Sequence, residues 1–117
     1  GWSKAEALKT MTLWMNMFPE INGVVAGNDE MALGAIQALK AANRLEGCLV
    51  SGVDATPSGL AAVRSGELSQ TIQQDAEGQA AGAVSLVKAF LDGKSPTESL
   101  DIPFTSITQD NIAQFSK

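Results

Sequence analysis

Polar residues able to grip a ligand recur just beyond short apolar runs in this chain. Asn28 and Asp29 follow Gly23-Val24-Val25-Ala26, Asp54 follows the run 48–53, and Gln73, Gln74 and Asp75 follow the run 68–72. An Asn or Gln amide offers donors and an acceptor side by side, and a carboxylate accepts strongly. Such a set suits a ligand covered in hydroxyl groups. It lacks the nucleophile, base and electrophile of a hydrolytic or phosphoryl-transfer site, so no catalytic residue is assigned and the chain does not read as an enzyme. Each of these residues also has a structural role open to it. Asn28 and Asp29 could cap a helix, Asp54 could serve the turn into Ala55-Thr56-Pro57, and the Gln pair could be a solvated strand end.

These positions gain meaning from the elements around them. Ser3-Lys4-Ala5-Glu6 has the form of a capping box. Behind it Ala7, Leu8, Met11, Trp14, Met15 and Phe18 recur at helical spacing until Pro19. A short strand is expected at 23–26. A second helix follows with a stripe of Met31, Leu33, Ile36 and Leu39, closed by Asn43 and Gly47. A strand at 48–53 leads to Pro57, placed for the first turn of a third helix ending near Arg64. Ser65-Gly66 turns the chain into a third strand at 68–72. A long helix spans about 76–91, with Ala80, Ala83, Val84, Val87, Phe90 and Leu91 on one stripe and Gly93 at its end. Ser95-Pro96 reads as a loop. Ile102-Pro103-Phe104 and Ile107 read as an extended return, with Pro103 arguing against a central strand. A short helix is expected at 109–115.

Helices alternating with short apolar strands imply an α/β fold, an open parallel sheet with flanking helices joined by right-handed crossovers. In such a sheet ligands bind beyond the carboxyl ends of the strands, where the polar residues above fall. The order opens on a helix with no strand to feed it, and the chain begins Gly1-Trp2-Ser3 rather than with Met. It therefore reads as an incomplete fragment of a longer α/β protein.

Composition narrows the class. The 117 residues are 44% hydrophobic and 18% charged, enough apolar surface for a core. A net charge of −5 argues against non-specific binding to nucleic acid or anionic membrane, which needs clustered Lys and Arg. There is no His and one Cys. That excludes an internal disulfide, His-based catalysis and His-ligated metal within the chain, and no metal or cofactor is implied. Cys48 lies in an apolar run and reads as core. Gly93-Lys94-Ser95 ends like a phosphate loop but lacks the upstream Gly and follows a helix. Asp54 lacks the acidic and Lys partners of a receiver-domain phosphoacceptor. Trp14 is expected in the core and Trp2 as a hydrophobic staple, neither as a sugar-stacking platform.

Three blocks resemble the ribose-type periplasmic solute-binding proteins of ABC transporters. They are residues 21–35, with Asn28-Asp29-Glu30-Met31-Ala32-Leu33-Gly34 at their centre, residues 51–59, around Val53-Asp54-Ala55, and residues 63–74, ending in Gln73-Gln74. The resemblance implies a Rossmann- or flavodoxin-like lobe of a two-lobed receptor. It implies that Asn28, Asp54 and Gln74 hydrogen-bond the hydroxyls of a sugar or polyol, with no chemistry performed on it. Residues 1–75 would be part of the C-terminal lobe, 76–96 a helix belonging to the other lobe, and 97–117 a return segment. An aromatic residue often precedes the Asp in ribose binders; here it is Val53, so ribose itself is not implied. The implied partners are a sugar or polyol and a membrane permease, with no nucleic acid. The implied location is periplasmic, or extracellular with a lipid anchor. The alternative is the effector domain of a lactose-repressor-family regulator, which shares the fold and the Asn-Asp block. Without the other lobe, the stripe of the 76–91 helix is expected to fold back on its own sheet or to swap into a second copy of the fragment.

Overall fold

The computed structural model describes residues 1–95 and 99–115. Pro96 of the expected loop lies outside them. The described elements are helix α1 (Lys4–Met17), strand β1 (Gly23–Val25), α2 (Asp29–Ala41), β2 (Leu49–Val53), α3 (Pro57–Ser65), β3 (Gln70–Gln74), α4 (Ala76–Leu91), β4 (Phe104–Ile107) and a single 3-10 turn (Ile112–Phe115). The sheet runs β1-β2-β3-β4. β1 pairs with β2 and β2 with β3, both in parallel. The open α/β architecture is therefore as the sequence implied. β4 takes an edge and begins just after Pro103, whose missing N–H would break a central ladder.

Two compact units divide the chain: Gly1–Gln73 with the segment from Ser106, and Gln74–Thr105. The core of the first is built from Met11, Ile36, Leu39, Val50, Val63, Leu68 and Ile107, with alanines of α2 between them. Helix α2 packs on α1, β1, β2 and α3. That is why Ala32, Gly34, Ala35 and Ala38 are buried while Met31 and Leu33 of the expected stripe are only half-buried. Small residues let neighbouring backbones approach: a Cβ on Gly34 would overlap the Lys4 carbonyl.

Local signals set most element ends. Ser3 Oγ accepts from Glu6 N–H, but Glu6 pairs with Lys9 at 2.9 Å, so only half of the capping box forms. At the far end of α1 the Arg44 guanidinium donates to the carbonyls of Met15 (3.2 Å) and Pro19 (2.9 Å). Gly66 closes α3 at φ +79°, a left-handed position that favours glycine. The third strand starts two residues later than expected and runs on to Gln74, because the Leu68 N–H closes α3 on the Ala62 carbonyl and bonding to β2 begins only at Ser69. Trp14 is a correction: it lines an open cleft with Met11, Val24 and Ala26 and stays 46% exposed. Trp2 is largely exposed too, its ring lying against Gly27.

In the second unit, α4 forms over the expected span, with Asp75 accepting from Gly78 N–H at 3.0 Å. Gly82 is its buried residue, against Leu100 and Ile102. The stripe of Val84, Val87, Phe90 and Leu91 is open to solvent.

Candidate ligand-binding edge

Parallel pairing brings the exits of β1 and β2 to one edge of the sheet, and with them Asn28 and Asp54. Asn28 is the N-cap of α2, with extended backbone and its Oδ1 accepting from Met31 N–H at 2.9 Å. That bond fixes the amide orientation, because the partner is a donor. Nδ2, with two N–H groups, makes no hydrogen bond among the described residues. Capping thus uses one end of the side chain and leaves the other end available.

Asp54 lies just past β2. Its backbone N–H continues the ladder to the Ile72 carbonyl at 2.8 Å, and its side chain is exposed. Its φ is +104° and that of Ala55 is +52°. Two consecutive non-glycine residues in this region cost about 1–3 kcal/mol each and persist only where surrounding contacts hold them. Those contacts are present. Thr71 Oγ1 accepts from Ala55 N–H at 3.1 Å and donates to Asp29 Oδ1 at 2.6 Å. Asp29 Oδ2 accepts from Thr56 N–H at 2.8 Å and from Thr56 Oγ1 at 3.0 Å. Thr56 in turn caps α3, accepting from Gly59 N–H at 3.0 Å.

Asp29 is therefore not a second cap. It is fully buried, as is Thr71, and it fastens the start of α2 to the start of α3. A Cβ on Gly52 would overlap Asp29 Oδ1 and one on Gly59 would overlap Oδ2, so both glycines make room for the carboxylate. Ser58 adds an outer tie, donating to Glu30 at 3.0 Å. Sequence reasoning missed this cluster. The available signal was two capping residues in tandem: only one can cap, so the other needs a different partner.

Gln74 ends β3 and opens the second unit, with an exposed side chain; Gln73 before it is half-buried. Asp75, in the same polar run, caps α4. Val53 is half-buried at the end of β2. Among the described residues no group of His, Cys, Asp or Glu could hold a metal ion. Cys48 is buried, and that burial pushes its thiol above the usual range against a smaller opposing effect of Arg44. The edge therefore offers amide donors and a carboxylate acceptor, a combination able to hydrogen-bond hydroxyl groups.

A model of the periplasmic binding protein domain matches residues 1–95. The chain belongs to the periplasmic binding protein family. It is 40% identical over 116 residues to a protein of Rhizobium meliloti named for rhizopine binding, covering 98% of this chain and 38% of that one. It is 37% identical over 113 residues to the xylitol-binding protein of Mycolicibacterium smegmatis, covering 96% and 32%. Among solved structures, an ABC transporter solute-binding protein from Bacillus halodurans with bound myo-inositol superposes with a TM-score of 0.82 at 41% identity, covering 97% of this chain and 39% of that one. The chain thus spans about a third to two fifths of the length of these relatives.

Proposed function

We propose that the protein carrying this chain is the substrate-binding component of an ABC transporter, capturing a sugar or polyol between two closing lobes and delivering it to a membrane permease. The observation that carries this reading is the pair of side chains at the sheet edge. The free amide N–H groups of Asn28 donate, and the exposed carboxylate of Asp54 accepts. A polyol presents a hydroxyl oxygen and a hydroxyl hydrogen to that pair at once. Gln74 is the third proposed ligand residue, placed where the chain leaves the first unit.

The relatives support a polyol as the ligand class, since the names and contents of two of the three proteins above are xylitol and myo-inositol. They favour the receptor over a lactose-repressor-type regulator and over an enzyme. We infer a periplasmic location on the same ground, and infer that the segment 76–96 belongs to the other lobe, where the exposed stripe of α4 would find its cover. In a preparation of this chain alone that stripe would instead draw two copies together by swapping.

The test is calorimetric titration of the full-length protein with myo-inositol, xylitol, D-ribose and D-galactose, alongside Asn28→Ala and Asp54→Ala. Binding of one of them, weakened about tenfold or more by each substitution, is the expected result. No binding to any, or affinity that neither substitution changes, would overturn the reading.

A further inference from the structure

Asp54 reaches its exposed position on a backbone path that an aspartate and an alanine do not adopt unaided, with φ of +104° and +52° in succession. The groups that hold this path do not themselves face the edge. Ala55 N–H donates to Thr71 Oγ1, and the Thr71 hydroxyl donates to Asp29. Thr56 N–H and Oγ1 donate to the other oxygen of the same carboxylate. Every partner of Asp29 in this set is a donor, the carboxylate is fully buried, and Gly52 and Gly59 leave space for it that any side chain would fill. Asp29 also directly follows Asn28, so one buried group is tied to both strand exits that carry the proposed ligand residues.

We propose that Asp29 is a positioning residue for ligand binding, acting through Thr71 and Thr56 to lock the turn that presents Asp54. The proposal rests on the reading of Asp54 as a ligand group. The Thr71 hydroxyl is the relay, since it must accept from Ala55 and donate to Asp29 together. Valine has the same shape and can do neither; serine can do both. An amide at position 29 has one acceptor oxygen where the carboxylate has two, so Asp29→Asn leaves either the Thr71 hydroxyl or the Thr56 donors facing an N–H group.

The experiment uses the full-length protein, with myo-inositol and xylitol as probes, in two arms. In the first, amide hydrogen exchange is compared for wild type, Thr71→Val, Thr71→Ser and Asp29→Asn. Exchange at Ala55 is expected to rise about tenfold in Thr71→Val and Asp29→Asn, to stay near wild type in Thr71→Ser, and to leave Val50 and Leu39 unchanged. In the second, affinities form a double-mutant cycle of Thr71→Val with Asp54→Ala. Thr71→Val is expected to weaken binding about tenfold when Asp54 is present and to change it less than about twofold when Asp54 is absent. A merely structural role would weaken binding equally in both backgrounds, and that result, or unchanged exchange at Ala55, overturns the proposal. If neither probe binds wild type, or if Asp54→Ala binds as wild type does, the receptor-site reading falls and takes the ligand-positioning role with it, whatever the exchange arm shows.

Discussion

Helices α2 and α4 follow strands of the same sheet and carry apolar residues at the same spacing, yet end in opposite states. In α2, Ile36 and Leu39 are buried and the alanines between them touch neighbours on several sides. In α4, Phe90 is 69% and Leu91 is 77% exposed. The polar residues at their starts differ in the same way. Asp29 at the head of α2 is enclosed by Thr56, Thr71 and two glycines, while Asp75 at the head of α4 caps its helix in the open. A helical stripe says that a helix has a face to bury. Whether it is buried depends on what the rest of the chain supplies.

The sharpest way to break this contrast is at the two aspartates. Asp29→Ala leaves the Thr56 and Thr71 donors inside without acceptors, and should lower the stability of the first unit by about 3 kcal/mol or more. Asp75→Ala should cost about 1 kcal/mol, the usual worth of an exposed cap. Urea unfolding of each variant measures both, and equal losses would mean that Asp29 is an ordinary cap.

The apolar positions give the next largest difference. Leu39→Ala should destabilise by about 2–5 kcal/mol through the cavity it leaves. Val87→Ala, at an exposed site, should stay within about 0.5 kcal/mol. A comparable loss at Val87 in this chain alone would show that a second copy covers α4, and sedimentation would then find a dimer.

Glycines sharpen the contrast further. Gly59→Ala drives a methyl group into the Asp29 carboxylate and should cost about 2–3 kcal/mol. Gly93→Ala meets nothing nearby and bears only the strain of its φ of +75°, about 1 kcal/mol. Thermal unfolding would rank the two, and the reverse order would contradict the cradle drawn by Gly52 and Gly59.

Cys48 gives the smallest effect. Burial raises its thiol pKa in the folded chain. Alkylation at pH 8 should therefore be slower than in urea, and alkaline pH should erode stability slightly, from the ordinary thiol range up to the raised one, as the unfolded thiol ionises first. Equal alkylation rates in the two states would mean that the β2 entrance is open.

Much of this protein was legible as a string. Pro57, Gly66 and Gly93 punctuate helices through their own backbone limits, and Asn28 caps through a bond three residues away, so these depend on neighbours in sequence. The alternation of apolar strands and helical stripes fixed the parallel sheet, and that sheet placed Asn28 and Asp54 at one edge. Other features depended on residues far apart in the chain. Trp14 fitted a core pattern but is left half open in a cleft beside Val24, because a periodic stripe can be wider than the surface available to cover it. Asp29 looked like a second cap because its acceptors and donors meet only when Thr56 and Thr71, 27 and 42 residues away, fold against it. Short-range hydrogen bonds and backbone preferences were set by the sequence alone; the burial of a charge-bearing group, and the strained turn it holds, were decided by tertiary packing, since only packing brings distant donors to one carboxylate and excludes water from it.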